Sequence, residues 1–254
     1  MRYFIQLAYK GTDFHGWQVQ TNANSVQAEL EKAFSAVLRQ PISIMGSGRT
    51  DTGVHAEQQF AHFEVAEPLE ITGKLLHALN SMTPFGIVIQ TIFPVSDDHH
   101  ARFTAHSRYY QYRITRHKNP FLTLQSYLFR PSLDLLRMNE AAALLLTHTN
   151  FKSFSKLRAN VNHFHCTITR AEWTVEPDGL TFHIKANRFL WGMVRCLVGT
   201  LLEVGQERMT VAEFEQIILA QDRAVAGRAA PASGLFLVEV GYPEEVFAHR
   251  TFPE

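Results

Sequence analysis

Segments in which every second residue is apolar alternate along this chain with segments in which apolar residues recur at helical spacing. Strands show the first pattern because their side chains point alternately to the two faces of a sheet, and amphipathic helices show the second. The alternation occurs in both halves of the chain, although no clean sequence repeat is evident. It predicts an α+β fold of two similar lobes.

The first half begins with a predicted strand at Arg2–Tyr9, where apolar and more polar residues alternate. Asn24, with Gln27 three residues later, predicts a capping box and a helix that ends near Gln40. The other elements expected in this half are strands at Ile42–Met45, Gln58–Val65 and Ile87–Val95 and a short helix at Ile71–Asn80.

A second set of elements begins at Ser107. The turn residues Asp178-Gly179 predict that the stretch from Cys166 to Arg188 forms a strand pair. We expect the lobe boundary within residues 96–105, which gives an N-terminal lobe at residues 1–100 and a C-terminal lobe at residues 101–254. The remaining predicted elements are a strand from Ser107 to Arg116, helices at Leu133–His148, Phe189–Val204 and Val211–Gln221, and a strand at Leu235–Val240.

The size and composition of the chain indicate a globular protein of the cytoplasm. Its 254 residues are 46% apolar, enough to bury a sizeable core. Two cysteines, Cys166 and Cys196, are too few for a disulfide framework. The N-terminus lacks the continuous apolar stretch of a signal peptide, and no later run is long enough to span a bilayer. We therefore expect a cytoplasmic location and no membrane partner.

Charge is distributed unevenly, although the net charge is zero. Residues 99–200 carry 14 basic and 5 acidic side chains, whereas residues 1–98 carry 6 and 10 and residues 201–254 carry 4 and 9. Arginine outnumbers lysine 17 to 7, and its planar guanidinium suits phosphates and stacked bases. The distribution is compatible with a basic binding face for a nucleic acid, or with an incidental asymmetry of a solvated surface.

The loop Gly46–Ala56, with the sequence GSGRTDTGVHA, allows three interpretations of Asp51. Asp-Thr-Gly is a common turn sequence, in which the aspartate need not react. An aspartic protease needs apolar residues before the triplet and two copies of it, but Arg49-Thr50 precede this one and no second copy occurs. In the third interpretation, Asp51 is an ionised carboxylate that a glycine loop displays and an arginine steadies.

Arg195 lies within the otherwise apolar helical segment FLWGMVRCLVGTLLEVG. An unpaired guanidinium in such a place would be costly, so a carboxylate partner is expected. Glu203, two turns away, is too distant. Asp51 is a candidate from elsewhere in the chain, and the alternatives are another acid or a side chain that reaches solvent.

The segment SRYYQYRI places aromatic residues among arginines on a predicted strand. Tyr110 and Tyr112 share one face of that strand, and Tyr109 and Arg113 share the other. This pattern can stack a base and bind phosphate, as Arg108 also could, or it can belong to an edge strand with core tyrosines.

Two groups of histidines raise the question of a metal site. They are His99-His100 and His163-x-His165-Cys166. Neither completes a four-ligand set with a recognised zinc spacing, so no metal site is predicted.

Five segments, in this order, make the chain resemble the TruA-type tRNA pseudouridine synthases. Gly48–Ala56 is similar to the family's signature loop GRTDxGVHA, and the match extends over nearly the whole chain. The other four segments are YKGTDFHGWQVQ, ARFTAHSRYYQYRI, FLWGMVRCLVGTLLEVG and APASGLFLVEVGY.

The resemblance implies a pseudouridine synthase fold, with helices packed on a central, mostly antiparallel sheet. It implies isomerisation of uridines in the anticodon stem-loop of tRNA, by a homodimer without cofactor or metal. A tRNA-binding or chaperone module of the same fold, without catalysis, is the alternative. Among the residues, the resemblance implies that Asp51 is the essential carboxylate, that Arg195 pairs with it, and that Tyr110 is the active-site tyrosine. Substrate-binding residues are expected at Arg49, Thr50, His55, Arg108 and Tyr112.

Three positions depart from the family's pattern. Tyr109 stands where arginine is common, Gln111 where a basic residue is frequent, and Ser233 where histidine is usual. None of them is a candidate catalytic residue, and the first two concern phosphate contacts near the strand.

Overall fold

The computed structural model describes residues 1–156 and 162–250. The chain forms two compact units. The first contains Met1–His106 together with the chain from Leu237 onward, and the second contains Ser107–Phe236. In both units strands and helices pack together, so the fold is α+β, as the sequence pattern predicts.

The elements follow one another in the order that the sequence predicts, with changes at their ends and one short strand, Tyr127–Leu128, that was not predicted. Over the described residues, the strands are β1 (Arg2–Tyr9), β2 (Met45–Gly46), β3 (His55–Glu64), β4 (Ile87–Val95), β5 (Ser107–Thr115), β6 (Tyr127–Leu128), β7 (Ile168–Glu176), β8 (Gly179–Ala186) and β9 (Leu235–Gly241). The α-helices are α1 (Val26–Leu38), α2 (Gly73–Met82), α3 (Leu135–Leu144), α4 (Met193–Gly205) and α5 (Val211–Ala220). None of these helices is long and apolar enough to cross a membrane.

The first unit is organised around β1, which pairs antiparallel with β3 on one side and with β4 on the other. Ile5 lies opposite Ala61 of β3 and Ile92 of β4, and all three side chains are buried. The short strand β2 also pairs with β3, and β9 lies beside β3. Helix α2 contacts β4, and α1 contacts α2.

Helix α1 begins one residue later than predicted. Asn24 is not its cap; the hydroxyl of Ser25 accepts a hydrogen bond from the backbone N–H of Ala28 at 3.3 Å. The Gln27 amide does not complete a capping box, because it donates to the Glu31 carboxylate at 2.9 Å.

The predicted strand at residues 42–45 forms only at its last residue. The backbone N–H of Ile42 donates to the Ser35 hydroxyl at 2.9 Å, and that of Ile44 donates to the Glu31 carboxylate at 2.9 Å. These two backbone N–H groups would otherwise pair with a neighbouring strand, but side chains of α1 accept their hydrogen bonds instead. Pairing starts at Met45, which lies opposite His62 of β3.

The second unit is organised around β8, which pairs antiparallel with β5 and with β7. The strand pair predicted around Asp178-Gly179 is confirmed as β7 and β8. Tyr110 and Tyr112 of β5 lie opposite Ile184 and Phe182 of β8. Strand β6 pairs parallel with the end of β5.

The helices of the second unit pack on this sheet and on one another. Helix α3 contacts β7, and α4 contacts both α3 and α5. Helix α4 begins four residues later than predicted, because Gly192 before it has the left-handed φ of 71°. The cap of α5 is a full capping box formed by Thr210 and Glu213.

Candidate active site

Asp51 lies in the loop between β2 and β3 of the first unit. The backbone N–H of Val54 donates to the Asp51 carbonyl at 3.1 Å, and Gly53 has a φ of 79°, so Asp-Thr-Gly does form a tight turn. Within this loop Thr50 is buried, Asp51 is half-buried and Arg49 is exposed. The turn therefore leaves Asp51 partly accessible while the residue before it is fixed in the protein.

Thr50 anchors the loop through its side chain and its backbone. Its hydroxyl forms a buried hydrogen bond of 2.8 Å with the Tyr9 hydroxyl at the end of β1. Its carbonyl accepts from the backbone N–H of Trp17 at 3.2 Å. Gly16 has a φ of 89°, and a Cβ there would lie 2.5 Å from the Thr50 carbonyl oxygen, so glycine is needed for this close approach. These contacts fix the position of the backbone directly before Asp51.

His55, the first residue of β3, holds the other end of the loop. It is buried, and its Nδ1 accepts a hydrogen bond from the backbone N–H of Gly11 at 3.1 Å. An accepting Nδ1 places the proton of the neutral ring on Nε2. A Cβ on Gly11 would lie 1.9 Å from the Val54 carbonyl oxygen, so the two segments touch through their backbones.

Tyr110 lies on β5 of the second unit and is half-buried. Its ring meets the ring of Phe189 edge to face, with 5.2 Å between the ring centroids and an angle of 87°. Phe189 lies between β8 and α4. The contact restrains the tyrosine ring and leaves part of its surface exposed.

Tyr112 shares the strand face of Tyr110 but is fully buried. Its hydroxyl donates to the Pro231 carbonyl at 2.8 Å. Burial raises the pKa of the Tyr112 phenol far above its ordinary value, so the hydroxyl keeps its proton and acts as a donor.

Arg108, near the start of β5, is half-buried. Its Nη1 donates to the Asn187 carbonyl at 3.0 Å, directly after β8. The guanidinium thereby joins the two neighbouring strand ends.

Arg195 is the one charged residue in the first two turns of α4, and it is half-buried. Its Nε donates to the Ala230 carbonyl at 2.7 Å, and the backbone N–H of Ala230 donates to the Arg195 carbonyl at 2.9 Å. A Cβ on Gly199, one turn later, would lie 1.7 Å from the Arg228 carbonyl oxygen. The chain around residue 230 therefore lies directly against α4, where it fixes the arginine.

The candidate residues fall into two groups. Arg49, Thr50, Asp51 and His55 share one loop of the first unit, whereas Arg108, Tyr110, Tyr112 and Arg195 lie in the second. Asp51 and Arg195 belong to different units, and their pairing stays a prediction.

Sequence reasoning missed three residues that hold the candidates in place. Tyr9 binds the Thr50 hydroxyl, Phe189 packs on Tyr110, and Ala230 binds Arg195. Tyr9, Phe189 and Ala230 all lie within segments that carry the family resemblance, and this was the signal available. Ala230 acts through backbone atoms, so its residue type does not reveal this role.

Among the described residues, no group of three or more histidine, cysteine, aspartate or glutamate side chains is placed to hold a metal ion. His163 is 3.2 Å from the Nη1 of Arg188, a cation that disfavours a second cation nearby. Cys166 is buried, and burial raises the pKa of its thiol to about 11, which disfavours the thiolate that zinc requires.

Comparisons with known proteins agree with the sequence motifs. A family model described as tRNA pseudouridine synthase matches residues 6–104 and 141–243. A protein of Parabacteroides distasonis named tRNA pseudouridine synthase A is 46% identical over 246 residues, which are 97% of this chain and 98% of the relative. Proteins of the same name from Bacteroides thetaiotaomicron and Bacillus licheniformis are 47% and 38% identical and cover 98% and 95% of this chain, and 94% and 99% of their own lengths. The chain therefore belongs to the tRNA pseudouridine synthase family.

Proposed function

We propose that this protein isomerises uridine to pseudouridine in the anticodon stem-loop of tRNA, with Asp51 as the essential carboxylate. The observation that carries the proposal is the signature loop, which holds Asp51 half-buried directly after the buried and hydrogen-bonded Thr50. The hydroxyl and the carbonyl of Thr50 are both hydrogen-bonded, so the backbone directly before Asp51 has a fixed position.

The reaction breaks the bond from uracil N1 to ribose C1′, rotates the base and joins C5 to C1′. The proton lost from C5 is balanced by a proton gained at N1, so product and substrate have the same composition. No electrons are transferred, and the reaction needs no redox cofactor. Asp51 can begin it by attacking C1′, by adding to C6 of the base or by taking a proton from C2′. Each route requires Asp51 to be ionised.

We assign to Arg195 the role of partner to the Asp51 carboxylate. The two hydrogen bonds with Ala230 support this role, because one fixes the backbone of Arg195 and the other fixes its guanidinium through Nε. A planar guanidinium can bind a carboxylate through two parallel N–H bonds. A preorganised cation of this kind stabilises a carboxylate without reorganisation during the reaction.

The other candidates act on the nucleotide or support the site. A uridine in a stem-loop must leave its stack before it reacts, which costs a few kcal/mol. Tyr110 stacks on the detached base, and Arg49, exposed beside Asp51, holds the nucleotide out of the stem. Arg108 contributes positive charge for phosphates. Substrate contacts were predicted for Thr50, His55 and Tyr112, but these side chains are buried, and we assign to them the role of supporting the site.

We further propose that the two lobes predicted at residues 1–100 and 101–254 act around one active site, although the chain from Leu237 onward belongs to the first unit. The first lobe carries the aspartate loop, and the second carries the tyrosine strand and the arginine helix.

We also propose that the protein acts as a homodimer in the cytoplasm. The basic block at residues 99–200 supports binding of tRNA by the second lobe. Light scattering with and without tRNA tests the dimer, because a mass of one chain under both conditions would contradict it.

The test of the activity follows tritium released from unmodified tRNA transcripts labelled at uridine C5. We expect release with the unaltered protein and a rate lower by at least ~10³-fold with Asp51→Asn, which keeps the shape of the side chain and removes its charge. Asp13→Asn, a change at an exposed aspartate of the same unit, serves as the control for loss of a carboxylate and should release tritium normally. If Asp51→Asn kept more than a few per cent of the rate, the assignment would be wrong. Bound tRNA without release from any transcript would instead identify a binding module.

A further inference from the structure

Trp191 differs from the other two tryptophans of the chain in its exposure. Trp17 and Trp173 are each 3% exposed, whereas Trp191 is 49% exposed in the segment between β8 and α4. An indole ring is the largest apolar side chain, and half of this one is left in contact with water. Packing in the core of the second unit therefore does not explain why a tryptophan stands at this position.

The exposed ring is nevertheless held in place. The Lys156 ammonium lies 4.0 Å from the centroid of the indole ring, in cation–π contact with it. The backbone N–H of Lys156 donates to the Trp191 carbonyl at 2.9 Å. Gly192, which follows, has a φ of 71°, and a Cβ there would lie 3.9 Å from the Lys156 Cβ. Lys156 thus fixes the tryptophan and covers part of its ring with a positive charge.

The two stretches of chain that meet at this pair lack acidic residues, and one of them adjoins a candidate catalytic residue. Phe189, which packs on Tyr110, precedes Trp191 by two residues, a separation that spans at most about 7 Å of chain. Arg188 lies directly before Phe189. No aspartate or glutamate occurs in residues 141–171 or 179–202, the two stretches that meet at Lys156 and Trp191. A negatively charged polymer therefore meets no carboxylate from the chain on either side of the pair.

We propose that Trp191 and Lys156 form a stacking site for an unpaired base of the tRNA, next to the nucleotide that is isomerised. The base stacks on the exposed surface of the indole, and the ammonium attracts the adjoining phosphate. Because every base has a π-face, the site tolerates different sequences and contributes affinity without reading the base. The proposal deepens the proposed function and rests on it for the identity of the RNA.

Fluorescence provides a test that does not depend on turnover. A short anticodon stem-loop RNA is titrated into protein that carries Asp51→Asn, so that no product forms, and tryptophan emission is recorded. We expect quenching on binding, and its loss in the further variant Trp191→Phe, because the two remaining tryptophans are buried. A blunt-ended, fully paired RNA duplex made from the same stem sequence has no unpaired base to stack and should not quench.

Affinity in the same titration, followed by anisotropy of labelled RNA, separates stacking from simple contact. Trp191→Leu should raise the Kd by about fivefold or more, and Trp191→Phe by less, because phenylalanine keeps an aromatic face. Phe121→Leu is the matched control, since this ring is 85% exposed in the same unit and should not affect the Kd. Lys156→Ala should lower the slope of log Kd against log salt by roughly 0.7, whereas Lys118→Ala should not change it.

Turnover distinguishes a failure of this site from a failure of the activity. In the protein with an intact Asp51, Trp191→Leu should raise KM for the stem-loop and leave kcat unchanged. Tritium release together with unquenched emission, or with an unchanged Kd in Trp191→Leu, would overturn the stacking site and leave the activity standing. Quenching and the loss of affinity without tritium release would support the stacking site and overturn the activity.

Discussion

Ala230 binds Arg195 through both of its backbone polar groups. Its N–H donates to the Arg195 carbonyl at 2.9 Å, and its carbonyl accepts from the Arg195 Nε at 2.7 Å. The first bond fixes the backbone of α4 at this point, and the second fixes the plane of the guanidinium. The orientation of a cation in the second unit therefore depends on a segment that lies 35 residues further along the chain.

Arg195→Lys keeps the positive charge but removes the Nε–H donor and the planar group. We expect kcat for tritium release to fall by about 10-fold or more, because a lysine ammonium cannot bind Ala230 and a carboxylate in the same fixed geometry. The unfolding free energy should fall by about 1 kcal/mol. Arg228→Lys, at an exposed arginine of the neighbouring segment, is the control and should alter neither quantity. Wild-type kcat in Arg195→Lys would contradict the role of the guanidinium.

Gly199→Ala tests the contact between α4 and the segment that carries Ala230. The new Cβ would lie 1.7 Å from the Arg228 carbonyl oxygen, and a backbone atom cannot move aside without moving its segment. We expect the unfolding free energy to fall by about 1–3 kcal/mol, and kcat to fall as Ala230 shifts away from Arg195. Gly48→Ala is the matched control for stability, because a Cβ there meets no atom within 4 Å. Equal melting temperatures for the two variants would show that α4 and this segment are not in tight contact.

The sequence predicts the sheet more accurately than it predicts the ends of the helices. The bounds expected for the strands at Arg2–Tyr9 and Ile87–Val95 are those found, because alternating burial and β-branched residues mark a strand along its whole length. A helix begins where one side chain binds one N–H group, and Asn24 and Ser25 are equally suitable residue types for that role. Only the fold shows that Ser25 caps α1.

In the candidate site, too, the sequence predicts some features and only the structure shows others. The motifs locate Asp51 and Arg195, since these residue types are chemically distinctive. The groups that hold the neighbouring atoms are a tyrosine hydroxyl 41 residues from Thr50 and the backbone of an alanine. Any residue can supply a backbone carbonyl, so the motif that contains Ala230 does not show that its backbone binds Arg195.

Tyr9→Phe removes the hydroxyl that binds Thr50 directly before Asp51. We expect a loss of about 1–2 kcal/mol in the unfolding free energy, because the buried Thr50 hydroxyl loses its partner at 2.8 Å. Displacement of the loop should lower kcat by about 10-fold while KM changes less, since Tyr9 itself is 5% exposed and does not contact substrate.

Thr50 supplies the control for this change. Thr50→Ser keeps a hydroxyl at the same place and should remain close to wild type, whereas Thr50→Val should match Tyr9→Phe. The double variant Tyr9→Phe with Thr50→Val should lose much less than the sum of the two single losses, because both remove the same bond. Additive losses of stability would indicate that the two hydroxyls act independently.

His62 makes the stability of the first unit sensitive to mild acid. The side chain is 7% exposed, its Nδ1 accepts from the Ala101 N–H at 3.2 Å, and burial, with the nearby His100 and Arg2, lowers its pKa to about 4 despite the opposing charge of Glu64. Because the unfolded chain binds this proton near pH 6.5 and the folded chain does not, the unfolding free energy falls as the pH drops from 6.5 towards about 4.

His62→Asn keeps an acceptor for Ala101 and removes the titration. We therefore expect its melting temperature to fall less than that of the unaltered protein between about pH 7.5 and about pH 5. His117→Asn, at an exposed histidine, should follow the unaltered protein, and a parallel decline in His62→Asn would show that other groups cause the acid sensitivity.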